Sequence, residues 1–358
     1  MAPAFAQAVA PARLKVLIVD DSALMRKVLR EIFGDRFETQ TARNGADALL
    51  QIDRFNPDVV TLDVNMPEMD GLTCLSHIMT RFPRPVVMVS SITQKGAAVT
   101  LEALALGAVD FVGKPGGTVS LDMDEVAHEI VAKVEAASRA RPRMAKAIAS
   151  ATRRQVETRL ARPAQGKSPP GLLLIGVSTG GPRTLEDILP PLPADFPWPV
   201  VVAQHMPPAF TASFAARLNN ICQLQVQEVR APTPLTVGNI YIARGGGDLV
   251  IERTLGRLVA KPVPEDPAHR WHPSVDKLVA SAMNVVEARA LVGVLLTGMG
   301  DDGAQAMAAL QKGGGRTIAE DSSTAVVFGM PGELIRLGGA TKVLPCDGVA
   351  DQLNAWIK

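Results

Sequence analysis

A chain of 358 residues has room for two or three domains at roughly 100–200 residues each. Its composition, 47% hydrophobic and 20% charged, is that of an ordinary globular protein, and 37 Lys and Arg against 36 Asp and Glu leave no global basic field to gather nucleic acid. Cys74, Cys222 and Cys346 form no C-x-x-C pair, which argues against a disulfide framework or thiolate metal site and for a cytoplasmic setting, and no run approaches the ~18 apolar residues of a membrane helix, so no membrane insertion is expected.

Residues 1–13 are apolar and Ala-rich without a basic leader, which predicts a disordered tail rather than a signal peptide. From Leu14 to Ala137, short β-branched runs (Val16–Val19, Val59–Leu62, Val86–Val89) alternate with amphipathic stretches. In the first stretch Leu24, Val28 and Ile32 recur at helical spacing, with Met25, Leu29 and Phe33 beside them; in the last, Val126, Ile130 and Val134 form the stripe. This alternation predicts βαβ units on a parallel sheet over residues 14–137. Residues 138–170 break the pattern. Between Ala132 and Pro170 ten basic residues stand against two acids, and the stretch closes on Gln165-Gly-Lys-Ser-Pro-Pro170. A solvated linker is predicted there, with docking of an acidic partner as the sharper reading. From 171 to 358 the alternation resumes, with strands predicted at Leu172–Val177, Val200–Gln204, Ile240–Ile242 and Leu291–Leu296 and helices at Thr184–Leu189, Phe210–Leu218 and Gly303–Gln311. The predicted fold class is α/β, with two doubly wound parallel-sheet domains joined by a linker.

Open α/β sheets bind ligands at the carboxyl ends of their strands. In the first domain those ends carry Asp20-Asp21, Asp63, Ser90 and Lys114. Three gathered carboxylates repel one another without a cation, and Mg²⁺ suits such a set. A neighbouring lysine would balance an incoming phosphoryl group, whose oxygens the Ser90 hydroxyl could also meet. In order, Val19-Asp-Asp-Ser22, Leu62-Asp-Val-Asn-Met-Pro67 with Asp70-Gly71, Val89-Ser-Ser91 and Gly113-Lys-Pro115 resemble the receiver domain of bacterial response regulators. That resemblance implies a flavodoxin-like fold with Asp63 as phosphoacceptor and a histidine kinase as phosphodonor. It implies Mg²⁺ held by Asp21, Asp63 and the Asn65 carbonyl, with Asp20 assisting through water. Ser90 and Lys114 would contact the phosphoryl group, and Phe111 would take the aromatic switch position.

The second domain opens on Leu172-Leu-Leu-Ile-Gly-Val-Ser-Thr-Gly-Gly-Pro182, a buried strand followed by a G-x-S-x-G turn. Glycines leave room for a carbonyl to approach Ser178, and N–H groups at a helix start can hold an oxyanion. The competing reading is a phosphate-binding turn. A serine nucleophile needs a base and an acid to orient it. His77 and His128 belong to the first domain; His205 ends a strand, and His269 and His272 flank Trp271 in a loop. Asp302 lies in the strand-to-helix turn Thr297-Gly-Met-Gly-Asp-Asp-Gly303. The strand-end order Ser178, His205, Asp302 competes with an α/β-hydrolase order using Asp248 and then His269 or His272.

Gly176-Val-Ser-Thr-Gly-Gly-Pro182, Gln204-His-Met-Pro-Pro208, Pro273-Ser-Val-Asp276 and Leu296-Thr-Gly-Met-Gly-Asp-Asp-Gly303 resemble the catalytic domain of chemotaxis protein-glutamate methylesterases. The likeness runs receiver first and esterase second, over nearly all of residues 14–358. It implies a Rossmann-like esterase domain, with Ser178 as nucleophile, His205 as base, Asp302 as orienting acid and the N–H groups of Thr179 and Met299 as oxyanion donors. It further implies methylated cytoplasmic helices of chemoreceptors as substrate, methanol as product, possible deamidation of glutamine, no cofactor for the ester chemistry and no nucleic-acid partner. Two segments depart from the family pattern: Ala243-Arg-Gly-Gly-Gly-Asp248, with Arg244 and Asp248, stands where Ala-Pro-Gly-Gly and a following His are common, and His272 precedes Pro-Ser-Val-Asp where Arg is common. The rival is a response regulator whose second domain binds DNA or a nucleotide.

Overall fold

The computed structural model describes residues 13–91, 93–114, 123–140 and 171–357. Most of the expected tail and nearly all of the basic linker lie outside these residues.

The first domain is a five-stranded parallel sheet of β1 (Leu14–Val19), β2 (Phe37–Ala42), β3 (Val59–Asp63), β4 (Val86–Ser90) and β5 (Asp110–Gly113). Its order, β2-β1-β3-β4-β5, is the flavodoxin-like one. Its helices are α1 (Ala23–Phe33), α2 (Gly45–Phe55), α3 (Gly71–Arg81), α4 (Gln94–Leu106) and α5 (Met123–Arg139). Caps set the helix starts: Ser22, Asn44 and Asp70 each accept a backbone N–H of the first turn, at Met25, Asp47 and Thr73. In α1 the buried stripe is Leu29 and Phe33 with Met25, whereas Leu24 is 70% exposed. Spacing alone did not separate those two neighbouring stripes. In α5, Val126, Ile130 and Val134 face the core as predicted.

The second domain is built on a seven-stranded parallel sheet in the order β15-β14-β13-β6-β7-β10-β8. Its early elements are β6 (Leu172–Val177), α6 (Gly181–Ile188), β7 (Val200–Gln204), α7 (Pro208–Ile221), β8 (Gln225–Val229), β9 (Thr233–Pro234) and β10 (Asn239–Ala243). There follow β11 (Asp248–Thr254), β12 (Arg257–Val263), α8 (Val275–Met283), β13 (Leu291–Leu295) and α9 (Ala304–Lys312). The chain ends with β14 (Arg316–Glu320), α10 (Met330–Arg336), β15 (Lys342–Leu344) and α11 (Cys346–Trp356). Between β8 and β12 the alternation lapses: β9, β11 and β12 form a separate antiparallel sheet. The reason is local, since Leu255-Gly256 turns the chain through two left-handed residues and β11 pairs straight back on β12.

One of the buried apolar clusters runs through both domains. Leu101, Leu104 and Phe111 of the first domain belong to the same buried cluster as Phe210 and Phe214 of the second, and the rings of Phe111 and Phe210 lie 4.3 Å apart. Each fully buried side chain of this size contributes about 1.5–3 kcal/mol. All three cysteines are free, and burial pushes the Cys74 and Cys222 thiols up to about 12, so neither is poised as a thiolate. No helix among the described residues is long and apolar enough to cross a membrane.

Candidate active site

Each sheet gathers its chemistry where the strand order reverses. In the first domain β1 and β3 are neighbours, so Asp20 and Asp21, after β1, meet Asp63 at the end of β3. One carboxylate oxygen from each of these residues lies within 4.8 Å of the others. Lys114 Nζ is 2.9 Å from Asp20 Oδ2 and 2.8 Å from Asp63 Oδ2. Burial works against the ammonium, but its bonds to the two carboxylates outweigh that and raise the Lys114 pKa. Burial also pushes the Asp63 carboxyl above its ordinary range, opposed by Lys114 and aided by Asp20. Two buried acids, Asp20 and Asp63, with the exposed Asp21 beside them, thus outnumber the one lysine, a donor set that fits a hard divalent cation. Ser90 is buried at the end of β4, and its carbonyl accepts the Lys114 N–H at 2.9 Å; Asn65 sits exposed two residues beyond Asp63. Gly71 opens α3 so close to this site that a Cβ there would fall 2.1 Å from the Asp63 carbonyl oxygen.

Phe111 lies at the seam between the domains rather than in the first domain alone, against Phe210 of α7. Beside it Asp110, also buried, accepts a 2.7 Å hydrogen bond from the Thr179 hydroxyl of the second domain.

In the second domain β6 is flanked by β7 and β13. Ser178 follows β6, His205 follows β7, and Asp302 lies in the turn between β13 and α9. The His205 N–H donates to Val177 O at 3.1 Å and the Ser178 N–H to Thr297 O at 2.9 Å, so the three strand ends are laced together beneath the side chains. Gly298 admits this approach, since a Cβ there would stand 2.7 Å from that of Ser178. His205 Nε2 and Asp302 Oδ2 are 2.8 Å apart. His205 Nδ1 is buried and makes no hydrogen bond among the described residues, and the Ser178 hydroxyl is likewise unbonded. The N–H groups of Thr179 and Met299 donate no hydrogen bond among those residues either. The indole of Trp271 stacks on the imidazole, with ring centroids 5.5 Å apart and planes 13° from parallel.

Asp302 is held by the start of α8. The Ser274 hydroxyl and the Asp276 N–H donate to Oδ1 at 3.1 and 3.0 Å, and the Val275 N–H donates to Oδ2 at 2.7 Å. Burial would raise this carboxyl, but the bond and charge of His205 together with these N–H groups hold it below the ordinary carboxylate range. The alternative pair also forms, with His272 Nδ1 2.9 Å from Asp248 Oδ1, but Asp248 is engaged with Ser274 and Lys277 and not with Ser178.

Sequence reasoning missed several residues around this site. Trp271 carried a signal, a tryptophan between two histidines in a loop. The N–H groups of Ser274-Val275-Asp276 carried only the Pro-Ser-Val-Asp motif, without a role. Thr297, whose hydroxyl donates to Thr179 O at 2.8 Å and whose N–H donates to the fully buried Glu320 at 2.8 Å, carried none beyond its place in the glycine-rich turn.

The model of the CheB methylesterase matches residues 173–353, and that of the response regulator receiver domain matches residues 16–123. A protein-glutamate methylesterase/protein-glutamine glutaminase of Rhodospirillum rubrum is 56% identical over 355 residues, covering 96% of each chain. One of Rhodopseudomonas palustris is 50% identical over 359 residues, covering 96% of this chain and 98% of its own. The crystal structure of the Thermotoga maritima CheB methylesterase catalytic domain is 38% identical, with a TM-score of 0.50, and covers 52% of this chain and 98% of its own. A DNA-binding or nucleotide-binding second domain is therefore set aside. The chain belongs to the CheB family of chemotaxis enzymes, in which a response-regulator receiver precedes a methylesterase/glutaminase catalytic domain.

Proposed function

We propose that Ser178 attacks the side-chain ester carbonyl of a methylated glutamate on the cytoplasmic helix of a chemoreceptor. The observation that carries this reading is the His205–Asp302 pair at 2.8 Å, with the other imidazole nitrogen unbonded and with His205 and Ser178 each following one of two paired neighbouring strands. Asp302, accepting from Nε2–H, fixes the tautomer in which Nδ1 holds a lone pair. Nδ1 takes the serine proton as the Ser178 oxygen bonds to the carbonyl carbon, and the N–H groups of Thr179 and Met299 receive the oxyanion. The protonated imidazole then gives its proton to the departing methoxide, and methanol leaves. Water, deprotonated by the same nitrogen, hydrolyses the glutamyl-serine ester and restores glutamate and serine. With glutamine in place of the methyl ester the leaving group is ammonia and the steps are otherwise the same.

The first domain regulates this reaction. Asp63 accepts a phosphoryl group from a histidine kinase of a chemotaxis system, in the cytoplasm. Asp21, Asp63 and the Asn65 carbonyl would hold Mg²⁺, with Asp20 assisting through water, and the ion when bound would offset the crowded charge of carboxylates and phosphoryl group. Ser90 and Lys114 contact the phosphoryl oxygens, and Phe111 reports the change. Without phosphate the domain packs over the second through Asp110–Thr179 and Phe111–Phe210, beside the serine turn. Phosphorylation shifts the population toward open arrangements.

The test is methanol release from membranes bearing methylated receptors, with and without a small phosphodonor. Ser178→Ala is expected to remove the activity, by at least ~10³-fold. Asp63→Asn is expected to keep the basal rate and lose the stimulation. Full activity in Ser178→Ala would end the serine-esterase reading.

A further inference from the structure

We infer that Asp248, together with His272, is a positioning residue for the orienting acid Asp302, acting through the first turn of α8. The inference rests on the catalytic reading above and extends it to residues that touch neither substrate nor the reacting atoms.

Three consecutive backbone N–H groups open α8, and two buried carboxylates divide them. Asp248 Oδ1 takes the N–H of Ser274 at 2.8 Å, whereas Asp302 takes those of Val275 and Asp276 at 2.7 and 3.0 Å. The Ser274 hydroxyl bridges the two systems, since it caps α8 by accepting the Lys277 N–H and also donates to Asp302. A helix N-terminus carries about half a positive charge, so it stabilises both anions and ties them to one turn. Packing fixes the same turn from below. A Cβ at Gly176 or Gly303 would stand 2.3 or 2.4 Å from Val275 Cγ1, so this side chain is wedged between the strand that leads to Ser178 and the turn that bears Asp302.

Asp248 is anchored in its turn. His272 Nδ1 lies 2.9 Å from Oδ1, and Lys277 Nζ lies 3.1 Å from Oδ2 and 3.2 Å from Asp266 Oδ2. Burial would raise the Asp248 carboxyl, but Ser274, His272 and Lys277 outweigh it and hold it below the ordinary range, as an anion at neutral pH. Asp248 and His272 thus form one unit. Removing Asp248 leaves Ser274 N–H and Lys277 without this acceptor and frees the turn that aims Asp302 at His205. Misplacement of a catalytic group by about 1 Å costs as much as ~10²-fold in rate without weakening substrate binding.

The experiment measures kcat and KM for methanol release by the full-length protein from methylated receptor membranes, with melting temperatures alongside. Asp248→Ala is expected to lower kcat by ~10–100-fold with KM within about twofold. Asp248→Asn, which keeps an oxygen for Ser274 N–H, is expected to recover most of the loss. His272→Ala removes one partner only and is expected to lower kcat by about threefold at unchanged melting temperature; it decides the matter if Asp248→Ala does not fold. Asp302→Ala is run in the same series. If Asp302→Ala retains activity, the catalytic reading itself fails. If Asp302→Ala is inactive while folded Asp248→Ala and His272→Ala keep the wild-type kcat, or change KM alone, the positioning role is overturned.

Discussion

Asp110 offers the most direct way to separate the proposed inhibitory contact from the chemistry. Its Oδ2 accepts the Thr179 hydroxyl at 2.7 Å across the domain seam, while Oδ1 accepts its own neighbour's N–H, that of Phe111, at 2.8 Å. Lys133 stands 3.7 Å from Oδ1 but keeps Glu129 at 2.9 Å and the Phe111 carbonyl at 2.7 Å, so it would not be orphaned by removing Asp110. A buried hydrogen bond to a charged group contributes about 1.5–3 kcal/mol. In the open arrangement water replaces that bond on both partners, so Asp110→Ala weakens the closed state selectively. At 1.4 kcal/mol per factor of ten, the closed-to-open ratio falls by roughly 10–150-fold. Methanol release without phosphodonor should rise accordingly, up to the rate of the fully stimulated protein as ceiling, and the stimulation factor should shrink by the same ratio. Asp110→Asn retains an acceptor oxygen and should fall between the two. An Asp110→Ala protein with wild-type melting temperature, wild-type basal rate and full stimulation would refute the argument.

Three further outcomes follow from the same contacts. Asp302 and Asp248 both titrate below the unfolded carboxylate value of about 3.9, so their stabilisation is complete above that value and is lost as pH falls through their lowered values. The melting temperature of the second domain should therefore drop steeply only below about pH 4, and less steeply in Asp302→Asn; a drop beginning near pH 6 would contradict this. Glu320→Ala removes the acceptor of the Thr297 N–H at 2.8 Å and of the Thr324 hydroxyl at 3.0 Å in a fully buried site, and calorimetry should register a loss of ~2–4 kcal/mol. Mg²⁺ should raise the melting temperature of the first domain and do so far less in Asp63→Asn, because the cation offsets the carboxylate that burial disfavours; an equal rise in both would place the ion elsewhere.

What could be read in the sequence was whatever is written in local order. Asp20, Asp63 and Ser90 each end or follow a run rich in β-branched residues and Lys114 follows the short strand β5, and parallel strands place all such ends on one edge, so order along the chain became proximity in space. Ser178 and His205 became neighbours by the same rule. Two kinds of information escaped. One was the choice of face: Leu24 and Met25 are adjacent stripes of α1, and only the packed sheet decides which is buried. The other was every contact made by backbone. The cradle of Asp302 consists largely of N–H groups, which any sequence supplies, and its only written trace was the helix-capping Ser274. Strands β11 and β12 escaped for a related reason, since pairing in an antiparallel ribbon depends on a turn at Leu255-Gly256 that is common in exposed loops.

The same distinction explains why one short strand can serve both domains. β5 spans four residues, about 13 Å at strand rise. At its carboxyl end Lys114 reaches Asp63 and Asp20; at its amino end Asp110 and Phe111 reach Thr179 and Phe210. In the proposed phosphorylation of Asp63 the new phosphoryl group would compete for Lys114, and the strand that leads to this lysine is the one whose other end sits against the serine turn. Both amino-end contacts are buried, and a buried hydrogen bond or ring contact is made or lost rather than stretched, because close-packed interiors deform little. On the proposed reading, a small change at Lys114 would therefore have two discrete outcomes at Thr179, contact or release. Placing the phosphoacceptor's lysine and the interdomain contacts on a longer strand or on separate elements would put more soft degrees of freedom between them. The brevity of β5 thus keeps Lys114 at one end and Asp110 at the other of a single short element.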